Sequence, residues 1–124
     1  MATFAIAAPA CPHDDERYPL FGEDAAVFAD GRTIIDNAAR EPEVVDLCDF
    51  LVKLGAEITG HGTSRIVVEG VERGTLRAAH HRTVPDRIQA ATYLAAVAVA
   101  GGEIEIVDVR PDQMVNVIAR FRDM

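Results

Sequence analysis

The chain has 124 residues, a formal net charge of −8 and a hydrophobic share of 49%, of which little is aromatic. That length suits one domain burying roughly two-thirds of its unfolded surface. The acidic balance, with no cationic block, gives no electrostatic support for binding nucleic acid or an anionic membrane. A core of Ala, Val, Ile and Leu favours helices packed on a sheet, so an α/β or α+β fold is expected. Cys11 and Cys48 fit no CxxC spacing, which implies neither a zinc site nor a disulfide framework, and the chain reads as cytoplasmic. The opening MATFAIAAPAC is apolar but lacks the basic segment that a secretory signal needs.

Residues 1–23 carry three prolines and a charge cluster without periodicity, and are expected to form a loosely ordered arm. From Asp24 the pattern becomes regular: a short helix at Asp24 to Ala29, a turn at Asp30-Gly31 and a strand from Arg32 to Asn37. Pro42, flanked by Glu41 and Glu43, opens the next helix, because a first helical residue needs no N–H and carboxylates favour the positive end of the dipole. Val44, Leu47, Cys48 and Leu51 recur at helical spacing, Glu43, Asp46, Asp49 and Lys53 face away, and Gly55 supplies the stop. Cys48 therefore reads as a small core residue.

Ala56 to Thr59 and Arg65 to Val71 read as a hairpin joined by GHGTS, whose glycines permit positive φ angles. A further strand is expected around Leu76 to Val84. Asp86 can cap a helix running to Ala100 that is apolar on nearly all sides. Such a helix is too short to span a membrane and is expected to be the most buried element. Glu103 to Val109 alternates as a strand, and Gln113 to Arg122 forms a last amphipathic helix bearing Met114, Val117, Ile118 and Phe121. Both longer helices are followed by a G[AG]E sequence and a β-type run, which hints at an internal repeat.

Five segments carry a resemblance: NAAREPEVVDL, LGAEITGHGT, GVER, PDRIQA and VDVRPD. In their order and spacing they resemble the enolpyruvyl transferase family, over about Asp24 to Arg122. The resemblance implies a fragment of the family's βαβαββ repeat fold with a buried central helix, residues 24–124 corresponding to about half of one domain. It implies the family reaction, transfer of an enolpyruvyl group from phosphoenolpyruvate to UDP-N-acetylglucosamine in peptidoglycan synthesis, with no cofactor and no metal. Glu41, Glu43, Asp86 and Arg87 match motif positions bordering the family's substrate cleft. The family's catalytic cysteine loop and Lys-Asn pair have no counterpart in this sequence, so no residue here is assigned a catalytic role. Where family members read Glu after Asp-Arg-Ile, this chain has Gln89.

The bland physical reading of the same residues is that Glu41 and Glu43 complement a helix dipole and that Asp86 caps its own helix. His61, His80 and His81 invite a metal hypothesis, but adjacent strand residues point to opposite faces and no zinc spacing is present. The surplus of apolar surface also admits a non-catalytic scaffold module, expected to form a homo-oligomer or a complex with a related transferase chain.

Overall fold

The computed structural model describes residues 26–72 and 74–123, together with the backbone of a strand at residues 3–7. The chain divides into two compact units, Met1–Arg82 and Thr83–Met124.

The first unit is a four-stranded sheet covered by a helix. Its strands are β1 (Thr3–Ala7), β2 (Arg32–Asp36), β3 (Glu57–Thr59) and β4 (Arg65–Glu69), and helix α1 spans Pro42–Leu54. The sheet order is β1-β2-β4-β3, with β1 parallel to β2 and β4 antiparallel to both of its neighbours. Strands β2 and β3 thus run the same way, and α1 carries the chain from one to the other past the place that β4 fills.

The register sorts the side chains. Thr33 and Ile35 of β2 pair with Val68 and Ile66 of β4, and Ile58 of β3 also pairs with Val68. Ile66 and Val68 are fully buried, and with Val27, Val44, Cys48, Leu51 and Ile58 they make the core. On the other face Arg32 pairs with Glu69, Ile34 with Val67 and Asp36 with Arg65. Period-2 alternation thus puts an apolar row inward and a charged ladder outward.

Helix α1 forms as its punctuation predicts. Pro42 occupies the first helical position, Val44, Cys48 and Leu51 are buried, and Gly55 closes the helix at φ 110°. Its N–H bonds Val52 O at 3.0 Å, and that of Ala56 bonds Leu51 O at 2.9 Å. Left-handed backbone of this kind costs an L side chain strain that glycine avoids. The hairpin turn holds as well: Gly60 has φ 81°, and Thr63 Oγ1 donates to its carbonyl at 2.7 Å.

Several expectations are corrected. Thr3–Ala7, inside the stretch expected to be a loose arm, is a strand in register with β2; its alternation of Phe4 and Ile6 with smaller residues suits a pleated sheet. The rest of that stretch, and the helix start expected at Asp24, lie outside the described residues. Of the expected helix, Ala26 is helical and residues 27–29 are turn and bend, with Ala29 N bonded to Ala26 O at 3.1 Å. Leu76 to Val84 is not a strand. Its backbone meets α1 instead, Arg77 N donating to Leu54 O at 2.8 Å, and His81 bonds side chains of α1 rather than joining a ladder.

The second unit contains α2 (Arg87–Ala100), a 3-10 turn at Pro111–Gln113 and α3 (Val115–Arg122). Glu103 to Val109 is irregular, so the β-type run after the second G[AG]E does not repeat β3. No strand partner lies beside it among the described residues of this unit, and an unpaired strand leaves its ladder groups unsatisfied. Met114 is buried, and Val117, Ile118 and Phe121 are half-buried along the expected face of α3.

Helix α2 is the largest departure. Expected to be the most buried element, it has one buried residue, Ala90, while Ile88, Tyr93 and Val99 are 64%, 57% and 89% exposed. An apolar helix is buried only by what packs on it, and in this unit α3 is the helix that packs on it. The mixed α/β architecture stands; among the described residues the helix expected to be central and buried is not covered.

Candidate functional site

The four residues expected at a cleft sit at two helix starts. Glu41 is the N-cap of α1; its carbonyl accepts from Val44 N at 3.0 Å and Val45 N at 3.1 Å, and its side chain makes no cap bond. Glu41 is exposed and Glu43, in the first turn, is half-buried. The two carboxylates therefore share one helix start, where the dipole stabilises negative charge. Asp86 is the N-cap of α2, and its Oδ1 accepts from Ile88 N at 2.9 Å and Gln89 N at 3.0 Å. That occupies one carboxylate oxygen structurally and leaves Oδ2 outside the cap. Arg87 follows at the first helical position, half-buried. Glu41 and Glu43 belong to the first unit, Asp86 and Arg87 to the second.

Chemically each pair can recognise polar groups. Carboxylates at a helix start can orient a sugar hydroxyl or a guanidinium, and an arginine at a helix start can pair with phosphate.

A second cluster escaped the sequence reading. On the wet face of α1, Asp46 Oδ1 lies 3.0 Å from His81 Nε2, and Lys53 Nζ lies 2.9 Å from His81 Nδ1. The His81 side chain is 6% exposed, and its ring lies 5.3 Å from that of Phe50 at 47°. One helical turn along, Asp49 Oδ1 meets His61 Nε2 at 3.1 Å. Both histidines thus fasten neighbouring chain to α1, one from the hairpin and one from the segment after it. His80, by contrast, is exposed. Asp46, Asp49 and Lys53 were legible as a polar face; that His81 reaches them depends on residues 75–82 not being a strand. No group of three or more His, Cys, Asp or Glu side chains converges as a metal site among the described residues.

On the outer face of β2 and β4 opposite charges pair across the strands. Arg65 donates to both oxygens of Asp36, at 2.5 and 3.0 Å, and Arg32 bonds Glu69. The hydrogen bonds from Arg65, and then its charge, hold the Asp36 carboxyl below the usual carboxylate range. Arg110 grips Asp112 at 3.1 Å through two bonds and lowers it in the same way. Within the second unit, Ala90, Leu94, Ile106, Met114, Ile118 and Phe121 line most of an apolar hollow of about 360 Å³, with Arg122 at its wall.

Residues 24–124 match the model of the EPSP synthase family, 3-phosphoshikimate 1-carboxyvinyltransferase. The chain belongs to this family. Among curated relatives it is similar to the UDP-N-acetylglucosamine 1-carboxyvinyltransferases of Citrobacter koseri and of Enterobacter cloacae subsp. cloacae, each 52% identical over 99 residues. That alignment covers 80% of this chain and 23% of either relative, so the chain spans about a quarter of their length. The aligned length reaches both helix starts described above. No helix among the described residues is long and apolar enough to cross a membrane.

Proposed function

We propose that this chain is a partial, diverged enolpyruvyl transferase of the kind that acts on UDP-N-acetylglucosamine, and that by itself it does not catalyse the transfer. In the reaction so implied, the sugar 3-hydroxyl takes the enolpyruvyl group of phosphoenolpyruvate and phosphate leaves, in the cytoplasmic supply of peptidoglycan precursors. The observation that carries the reading is the identity of 52% over 99 residues confined to 23% of the relatives' length. Identity at that level supports descent from the same branch, while a quarter of the fold offers only a few of the groups a two-substrate transfer needs. In this reading Glu41, Glu43, Asp86 and Arg87 border the substrate cleft: the carboxylates orient hydroxyls and Arg87 pairs with a phosphate.

The test is phosphate release on mixing the chain with phosphoenolpyruvate and UDP-N-acetylglucosamine. None is expected from the chain alone. Release that depends on the sugar nucleotide and disappears in Arg87→Ala would refute the non-catalytic half of the proposal.

A second reading rests on the exposure of α2. With Ile88, Tyr93 and Val99 uncovered, the chain is a module that completes its core against a second copy or a related transferase chain. Sedimentation is expected to show a homodimer or a mixed complex; a strictly monomeric, cooperatively unfolding chain would count against it.

A further inference from the structure

The contact between Lys53 and His81 fixes the chemistry of three side chains. Lys53 is the only lysine of the sequence and is exposed. Its ammonium has no acceptor lone pair, so at 2.9 Å it is the donor and His81 Nδ1 the acceptor. A neutral imidazole accepting at Nδ1 carries its proton on Nε2, and that N–H donates to Asp46 Oδ1 at 3.0 Å. The ring cannot easily turn away, since its side chain is 6% exposed and Phe50 lies against it. Carboxylate, buried imidazole and exposed amine therefore stand in a row, with the basic nitrogen facing the nucleophile, as in carboxylate–imidazole–nucleophile triads.

We propose that Lys53 is an acyl-acceptor site for small acyl thioesters, with His81 as the base and Asp46 holding its tautomer. Attack needs the amine, so the Lys53 ammonium first gives one proton to solvent; Nζ then keeps one N–H on Nδ1 and presents its lone pair to solvent. Attack on the thioester carbonyl forms the C–N bond; collapse of the adduct breaks the C–S bond, and the sulfur leaves as thiolate. The proton that Nζ sheds passes to His81 Nδ1, and Asp46 stabilises the resulting imidazolium until solvent or the thiolate takes the proton. The product is a neutral amide at Lys53, which no longer supplies the ammonium that held Nδ1. Acylation would then loosen one of the two bonds that dock His81 on α1.

The experiment exposes the full chain to acetyl-coenzyme A and follows acetylation at Lys53 by peptide mass spectrometry, which a single lysine makes unambiguous. The same chain unfolded in urea gives the rate of an unassisted lysine. The folded chain is expected to react at least about tenfold faster, a conservative share of what a positioned base contributes. Asp46→Asn preserves shape but offers an amide in place of the carboxylate, and is expected to bring the folded rate down to the unfolded one with unchanged circular dichroism. His81→Gln should do the same. A folded rate no greater than the unfolded one overturns the proposal. So does an Asp46→Asn chain that folds and reacts at the wild-type rate.

Discussion

Gly70→Ala tests the packing at the end of β4. Gly70 N donates to Gly31 O at 2.8 Å and Val71 N to Val27 O at 2.8 Å, which lays the chain after β4 against the turn at residues 26–31. A Cβ added at Gly70 would lie 1.7 Å from the Ala29 carbonyl oxygen and 2.9 Å from its carbon. Contacts below 3.0 Å essentially never occur for a real Cβ, so that carbonyl must retreat by roughly 1.3 Å, and overpacking of a fixed backbone costs about 1–3 kcal/mol. The retreat also strains the two flanking hydrogen bonds, each worth about 1 kcal/mol, and pulls on Val27, which is 1% exposed. Together these give a loss of about 3 kcal/mol, a large fraction of the roughly 5–15 kcal/mol a domain possesses. Urea unfolding followed by circular dichroism measures it. Gly74→Ala is the comparison: its Cβ would meet nothing within 4 Å, and only φ 94° opposes it, so a cost of about 1 kcal/mol is expected. If Gly70→Ala unfolded within about 0.5 kcal/mol of wild type, the tight approach of residues 29 and 70 would be refuted.

Two further outcomes follow from the cap and the ladder. Asp86→Ala removes both side-chain bonds to the start of α2 and should lower stability by about 1 kcal/mol, with Asp86→Ser recovering most of it; equal stability of the three chains would contradict the cap. Asp36 titrates lower in the folded state because Arg65 holds it, so its stabilisation is fully present above the unfolded carboxyl value, about 3.9, and is lost as pH falls through the folded one. Asp36→Asn should therefore lower the urea midpoint at pH 7 by a small, salt-sensitive amount, and the difference from wild type should shrink as pH falls through the folded value of Asp36; a difference that stays constant as the pH is lowered would assign the effect to shape instead of charge.

What the sequence made legible was whatever local chemistry decides. Pro42 at a helix start, Gly55 at its end and the 3.6-residue spacing of Val44, Cys48 and Leu51 are each sufficient locally, and α1 forms as expected. The hairpin is equally local, its turn set by Gly60 and Thr63. Segments whose state depends on distant partners were misread. Residues 76–84 and 103–109 alternate well enough for strands, yet a strand exists only when a neighbour completes its ladder. Of the candidate site, the two helix starts were legible because caps and dipole charges are local signals. The bridge from Asp46 through His81 to Lys53 was not, since it joins residues 35 and 28 positions apart across a segment without regular structure.

The apolar circumference of α2 is the sequence feature that this structure leaves unspent. A surface helix in water is selected for one polar face, and Ile88, Leu94, Val97 and Val99 distributed among alanines show no such selection. Here only Ala90 is fully covered, while Leu94 and Val97 are half-buried and Val99 is 89% exposed. Transfer of an apolar side chain such as Val or Ile out of water is worth about 1.5–3 kcal/mol when complete, so covering Ile88, Tyr93 and Val99 would release several kcal/mol, enough to drive association when the covering surface is already ordered. The hollow beside α3 points the same way, because it is lined almost wholly by apolar side chains. Both features suit a helix that further apolar surface covers. The composition of α2 thus argues for a covered helix in the working protein, and makes association the property most worth measuring before any search for transfer activity.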